Sequence, residues 1–370
     1  MKIVLAFDSF KGKLSAREVC ELVRNGILSV RRDAEAVMLP MADGGEGTAE
    51  AMMSALGGEW IPVTVTGPRP AMKVEAGFAW MADKRVAVVE MAKASGLPLL
   101  KPEERNPMET TTFGTGELIR AAIDRGAQKI LLTVGGSATV DGGLGAAAAL
   151  GWRFLDGSGK DVVLCGKGLS QVKEIVPPKR ILPAMDVLCD VTNPLCGPNG
   201  AARVYGPQKG ATPEMVDLLD SDLWNFSELI FQTLEKPVRD VPGAGAAGGL
   251  AAGALAFMNG RLVRGVDAVM DTIGLPAALK GADWVLTGEG KFDSQSVQGK
   301  VVDGVVGRAA EAGAETGVIA GCVLLDEAEW KKAGISQVRS LQPEGMSTEE
   351  SIRRSRELLF EAGAAFAQGL

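Results

Sequence analysis

The sequence predicts an α/β fold in two domains, and three observations carry that expectation. Short apolar runs alternate with glycine-bearing turns and helical stretches, which is the sequence form of βα units and a mostly parallel sheet. The alternation is interrupted once, beyond Gly58, by three apolar runs too closely spaced to leave room for helices. A chain of 370 residues, at about 100 to 200 per domain, makes about two domains.

Taken in order, residues 2–7 form a strand, and residues 15–30 a helix opened by Ser15 with Glu18 three positions on, a capping box. Residues 36–40 are the next strand, followed by the loop Asp43-Gly44-Gly45-Glu46-Gly47-Thr48 and a helix to Leu56. The runs 63–66, 74–80 and 86–91 are three successive strands. From Gly114 the alternation resumes with a helix to Arg125, a strand over 129–134, a long glycine loop and an alanine-rich helix over 144–150. Residues 185–189 are a buried strand, and Thr212-Pro213-Glu214 opens a helix with a cap and a first-turn proline. The uncharged stretch 241–260 is as long as a membrane span. Gly and Ala dominate it and Pro242 and Asn259 interrupt it, so it reads as a packed internal helix over 245–258. The tail adds strands over 284–287 and 318–321, a helix over 301–312 and a final helix capped near Ser347. The expected architecture is a Rossmann-like parallel sheet built from both chain ends, residues 1–60 plus 281–370, and an inserted α/β domain with a mixed sheet, residues 61–280.

Composition narrows the chemistry. Acidic residues outnumber basic ones 46 to 39, for a net charge of −7, which offers no electrostatic footprint for nucleic acid or an anionic membrane. There is no histidine, which removes Ser-His-Asp and Cys-His pairs and two-histidine zinc sites. A general base must then be a carboxylate, lysine, cysteine or the single tyrosine, Tyr205. Five cysteines without a C-x-x-C pair read as reduced thiols, and Asp8 and Lys11 cut the apolar N-terminus short of an export signal, so a cytoplasmic location is expected.

Four glycine loops follow strands: 43–48, 135–143, 242–249 and 287–290. Turns of this kind present backbone N–H groups to phosphate, which makes Gly44, Gly45, Gly135, Gly136, Ser137, Thr287, Gly288, Glu289 and Gly290 nucleotide-binding candidates. No Gly-Lys pair is followed by Ser or Thr, so the P-loop pattern is absent. Gly243-Ala-Gly245-Ala-Ala-Gly248 does match G-x-G-x-x-G, with Asp267 downstream, and sustains a nicotinamide-dependent oxidoreductase as the alternative to a kinase. The polar, proline-broken segment before it is a poor buried strand. Acidic residues at strand ends are the sharper signal: Asp43, Glu46, Asp141, Asp190, Glu289 and Asp293. Asp43 and Asp141 are equally readable as helix caps, whereas Asp190 ends a strand without opening a helix. Among cations, Lys11, Lys209 and Lys300 stand at loop ends, where they could neutralise a transferring phosphoryl group.

As a set, these segments resemble the class I glycerate kinases. The matching residues are Phe7-Asp8-Ser9-Phe10-Lys11-Gly12, Met41 to Thr48, Ala94-Ser95-Gly96-Leu97, Gly114 to Leu118, Gly135-Gly136-Ser137-Ala138-Thr139, Cys189 to Leu195, Gly206 to Thr212, Pro242 to Gly249, Thr287 to Gly290, Asp293 to Ser296 and Gly299-Lys300. They run in the family's order to about residue 325, with a looser match beyond about 340. The resemblance implies ATP-dependent, Mg²⁺-assisted phosphorylation of D-glycerate, usually to 2-phosphoglycerate, in a cleft flanked by two α/β domains. Phosphorylation at the 3-position, or of another small hydroxy acid, is the alternative within that chemistry. Asp190 is the expected base from its strand-end position, with Lys11 as catalytic cation and Lys300 at the nucleotide. Asp43 and Asp293 are the expected Mg²⁺ ligands, and Ser9, Arg69 and Asn193 the substrate contacts, with Lys11 and Arg69 candidates for the glycerate carboxylate. A monomer or homodimer is expected. Two positions depart from the family: Val140 stands where Asn is common, and Cys322 where Ser is.

Overall fold

The computed structural model describes residues 1–370 with the exception of Lys11, Gly12, Glu46, Arg180 and Glu344. Two compact units make up the chain, residues 1–57 with 266–370 and residues 58–265. Along the sequence, β1 (Lys2–Phe7) and β2 (Glu35–Met38) belong to the first unit. The second unit holds β3 (Glu59–Thr66), β4 (Lys73–Met81), β5 (Val86–Glu90), β6 (Lys129–Thr133), β7 (Arg153–Leu155), β8 (Glu174–Val176), β9 (Ala184–Leu188) and β10 (Gly260–Val263). The first unit then resumes with β11 (Trp284–Gly288), β12 (Lys291–Phe292), β13 (Glu315–Ala320), β14 (Cys322–Val323) and β15 (Gln337–Ser340).

In the first unit a parallel sheet runs in the order β15-β13-β11-β1-β2. The chain leaves β1 toward β2 on one side and later fills β11, β13 and β15 on the other, so a doubly wound switch point lies between β1 and β11, where such sheets open a crevice at their carboxyl ends. All of β1 but its first residue is buried, as befits an apolar parallel strand covered on both faces. The helix Ala16–Val30 starts on the expected capping box, with the Glu18 N–H donating to Ser15 Oγ at 3.3 Å and the Ser15 N–H to Glu18 Oε2 at 2.9 Å. Its partner is the C-terminal helix Ser355–Gln368, and glycines bring the two backbones together. A Cβ on Gly26 would lie 2.0 Å from the Phe360 carbonyl oxygen, and one on Gly363 would lie 2.3 Å from that of Val23.

The second unit carries a mixed sheet of order β10-β9-β6-β5-β4-β3, with β5, β6, β9 and β10 parallel and β3, β4 and β5 an antiparallel meander. Its core packs helices on this sheet and includes a cluster of Phe154, Phe226 and Phe257. Val140 belongs to that core and is fully buried. At this position the side chain serves packing, so the departure from the family's Asn is a core substitution here.

Several elements differ from the sequence reading. The stretch read as one helix over 245–258 is a tight turn at Ala246–Gly249, with Ala247 at φ 54° and Gly248 at φ 66°, followed by a shorter helix, Leu250–Phe257. Gly248 must turn there because a Cβ on it would lie 1.9 Å from the Thr139 carbonyl oxygen. Among the described residues no helix is long and apolar enough to cross a membrane. The single tail helix is two, Thr348–Arg353 capped by Ser347 and Ser355–Gln368. The small hairpin of β7 with β8, and the edge strands β10 and β15, were not foreseen. All five cysteines are free thiols.

Candidate active site

In the first unit, the loops after β1, β11, β13 and β15 surround a cavity of about 530 Å³. Ser9, Glu289, Gly290, Asp293 and Lys300 line it, and so do Phe10, Lys13, Lys291, Cys322, Leu341 and Ile352, which sequence reasoning did not single out as contacts. The signal that could have found Leu341 is its place just past a strand end. That strand is polar at three of its four positions, Gln-Val-Arg-Ser, and offers no signal to an apolar-run criterion. The Asp293 carboxylate accepts from Lys291 Nζ at 3.0 Å and from the Gln295 N–H at 3.0 Å, and the Lys291 ammonium holds it below the usual carboxylate range. Lys300 donates to Gln295 Oε1 at 3.1 Å and precedes the helix Val301–Ala312.

Thr287 and Gly288 do not line the cavity. Thr287 is fully buried and its hydroxyl donates to the Ala6 carbonyl at 2.7 Å, tying β11 to β1. A Cβ on Gly288 would lie 1.8 Å from the Ile319 carbonyl oxygen, so this glycine lets β11 and β13 close up. Asp43 is also absent from the lining. One of its oxygens accepts from the Gly45 N–H at 2.9 Å, which folds the Asp43-Gly44-Gly45 turn with Gly44 at φ 91°. Among the described residues no group of three or more Cys, Asp or Glu side chains converges as a metal cage. Lys11 and Glu46 lie outside the described residues.

In the second unit the strand-end loops form one connected structure. β6 and β9 are neighbours with Thr133 opposite Leu188, so Gly135 and Asp190 stand two residues beyond the same rung. Asp190 is exposed, and its Oδ1 accepts from the Gly265 N–H at 3.0 Å. Gly135 and Gly136 are exposed as well, Gly136 at φ 70° with its carbonyl accepting from the Leu97 N–H at 2.8 Å. Asn193 is engaged within the unit: its Oδ1 accepts from the Tyr205 hydroxyl at 2.7 Å and its Nδ2 donates to the Asn199 carbonyl at 2.8 Å. Arg69 has Nη2 3.6 Å from Glu109 Oε2.

Beneath the exposed glycines two buried ionisable groups hold the loop. Lys209 is 1% exposed, and its Nζ donates to Ser137 Oγ at 2.7 Å and to the Thr139 carbonyl at 2.8 Å. Burial pushes its pKa down to about 7 against the partial compensation of Asp141. Asp141 accepts from the Thr112 N–H and Oγ1 at 2.8 Å each, from the Gly143 N–H at 3.1 Å and from the Gly145 N–H at 3.3 Å. Its own pKa is raised by burial against those four donors. Asp141 is therefore the loop's anchor rather than a helix cap, since the helix Leu144–Ala149 starts at Gly143 without a side-chain cap, and Lys209 sits too deep to touch a ligand.

The segment Gly243 to Gly248 follows irregular chain after the helix Pro213–Leu234 and opens the tight turn described above. The strand-turn-helix context of a dinucleotide fingerprint is not present there.

The chain is similar to known proteins along its whole length. The model of the glycerate kinase family matches residues 3–370. A glycerate kinase of Bacillus subtilis (strain 168) is 43% identical, across 97% of this chain and 95% of that protein. A glycerate 2-kinase of Escherichia coli (strain K12) is 41% identical, across 100% of this chain and 98% of that protein. A crystal structure of a Salmonella typhimurium LT2 protein described as glycerate kinase 2 superposes with a TM-score of 0.91 at 42% identity, covering 100% of this chain and 98% of that one. With a matching α/β architecture and similarity along its whole length, the chain belongs to the glycerate kinase family.

Proposed function

We propose that this protein transfers a phosphoryl group from ATP to the 2-hydroxyl of D-glycerate in the cytoplasm, as a monomer or homodimer. The observation that carries the reading is the 41% identity, along the whole chain, to a protein named glycerate 2-kinase. The geometry supports it. Phosphoryl transfer asks a protein to position the partners, to set cations against phosphate oxygens and to orient the attacking hydroxyl with a carboxylate. Asp190 is an exposed carboxylate at a strand end with one oxygen fixed by a backbone N–H, suited to accept the proton of the acceptor hydroxyl. The exposed Gly135 and Gly136 hold their turn open from below through Lys209 and Asp141.

The cavity of the first unit is the proposed nucleotide site, with Lys13, Lys291 and Lys300 supplying positive charge and Glu289 and Gly290 lying beside them. Thr287 and Gly288 act as its scaffold. Asp293, an ionised oxygen donor in that cavity, fits Mg²⁺, which asks for one or two carboxylates in addition to phosphate oxygens. Asp43, outside that lining but at a strand-end loop of the same unit, is proposed as the second carboxylate from its sequence position alone. When bound, the ion would draw charge from the phosphate oxygens.

The test is ADP release measured with D-glycerate, L-glycerate, glycolate and tartronate, followed by phosphorus NMR of the product. Turnover highest with D-glycerate, with phosphorus on the 2-oxygen, is the expected result. Phosphorus on the 3-oxygen would correct the position, and absence of ADP release with all four acids would overturn the reading.

A further inference from the structure

Two guanidinium groups of the second unit break the rule that buried donors find acceptors. Nε of Arg69 and Nε of Arg105 are both shut off from solvent, and among the described residues neither has a hydrogen-bond partner. Among the described residues Arg69 has only the long contact to Glu109. Arg105 forms no ion pair among them, although it is flanked in sequence by Glu103, Glu104 and Glu109.

The loops carrying them form one construction with the strand-end loops described above. The Thr111 N–H donates to the Pro68 carbonyl at 2.8 Å, joining the Arg105 loop to the Arg69 turn. Thr110 Oγ1 donates to the Ala138 carbonyl at 2.9 Å, fastening it to the loop after β6. The Arg105 carbonyl packs on Gly210, where a Cβ would lie 2.3 Å away, directly after Lys209. From there Gly248 against the Thr139 carbonyl, and the Gly245 N–H donating to the Asn193 carbonyl at 3.0 Å, carry the contacts to the loop that follows Asp190.

We propose that Arg105, together with Arg69, receives the carboxylate of the hydroxy-acid acceptor. This rests on the kinase reading above. An arginine fork presents parallel N–H groups that match a carboxylate, and an unmet Nε–H is the donor such a pairing uses. The acceptor is favoured over the nucleotide because these arginines share a unit and a loop cluster with Asp190. In a 2-hydroxy acid the carboxylate is attached to the very carbon that bears the reacting hydroxyl. The nucleotide cavity, with its lysines, belongs to the other unit.

Full-length Arg105→Gln, Arg105→Lys and Arg69→Gln proteins test this. In Arg105→Gln the KM for D-glycerate should rise roughly 10- to 100-fold, the loss expected for a charged hydrogen bond, while the KM for ATP stays within about threefold. The preference for D-glycerate over glycerol, which lacks the carboxylate, should fall by the same factor. Arg105→Lys keeps the charge without the fork and should lie between. An unchanged KM for D-glycerate in Arg105→Gln overturns the assignment, and so does a rise confined to the KM for ATP, which would give the arginine to phosphate. If Arg105→Gln does not fold, the other two variants decide, and D-glycerate affinity must fall in both. Lack of turnover by the unsubstituted protein overturns the kinase reading instead. Calorimetric titration with D-glycerate then tests the arginines separately, and equal affinity in unsubstituted and Arg105→Lys protein rejects them.

Discussion

A buried lysine whose pKa falls to about 7 has two acceptors, and a neutral amine has two N–H donors, so the pocket around Lys209 suits the uncharged form. The folded value lies below the ordinary 10.5, so between pH 7 and 10.5 the unfolded chain binds more protons than the folded one. Stability contributed by this residue therefore rises with pH across that window, by about 1 kcal/mol per pH unit. Lys209→Met keeps the stem and removes the titration. The melting temperature of the unsubstituted protein should rise relative to that of Lys209→Met as pH is raised from 7 to 10, and a difference that does not change with pH would refute the lowered lysine pKa. Asp190 makes a second prediction: Asp190→Asn should cut kcat by roughly 10²- to 10⁴-fold with little change in thermal stability. Turnover within about threefold of the unsubstituted enzyme would reject it as the base.

At the level of elements, glycine in a helix has opposite consequences at two sites. Gly26→Ala would gain about 1 kcal/mol of helix propensity but would drive a methyl to 2.0 Å from the Phe360 carbonyl oxygen, forcing the two helices apart. A net loss of about 2 kcal/mol or more is expected in chemical denaturation. Gly307→Ala, exposed in the helix Val301–Ala312 with nothing within 4 Å of the new methyl, should instead stabilise by up to about 1 kcal/mol. The same level shows what could be read in advance. Strong local signals were legible: the Ser15–Glu18 box, the Thr212-Pro213 start and the apolar run 3–7 of β1 each appear where the residues say. The break at Ala247 was not, because an uncharged Gly/Ala run is readable as a closely packed helix despite glycine's lower propensity, and only the Thr139 carbonyl, which leaves no room for a Cβ at Gly248, marks the turn. Site residues divide the same way. Strand-end acids could be found from the sequence, but Thr287 looked like a phosphate ligand until its hydroxyl met the Ala6 carbonyl, a contact across most of the chain. Arg105 gave no sequence signal at all, since an arginine among glutamates reads as a solvated surface group.

For the molecule as a whole, the second unit has its own sheet and its own apolar core, drawn from residues between Val65 and Met258. A segment with a complete core is expected to fold alone. The fragment 58–265 should therefore unfold cooperatively in denaturant with a circular dichroism spectrum of mixed helix and strand, and a gradual, non-cooperative melt would show that its core depends on the rest of the chain. Residues 1–57 have no such independence. Their strand β1 needs β11 on one side, and their helix Ala16–Val30 needs Ser355–Gln368.

That dependence has a consequence during synthesis. The helix that seats against Gly26, and whose Ala367 carbonyl accepts from Arg31 Nε at 3.2 Å, is made late, since those two partners stand 336 positions apart in the chain. At about 5 to 20 residues per second, the emerging N-terminal segment waits on the order of tens of seconds for its neighbours while the inserted unit is already collapsing. Throughout that interval the run Lys2–Phe7 is an apolar ribbon with both edges open, the kind of segment that chaperones hold and that aggregates when they do not. Yield in the cell should accordingly depend on the pace of translation as well as on the stability of the finished protein.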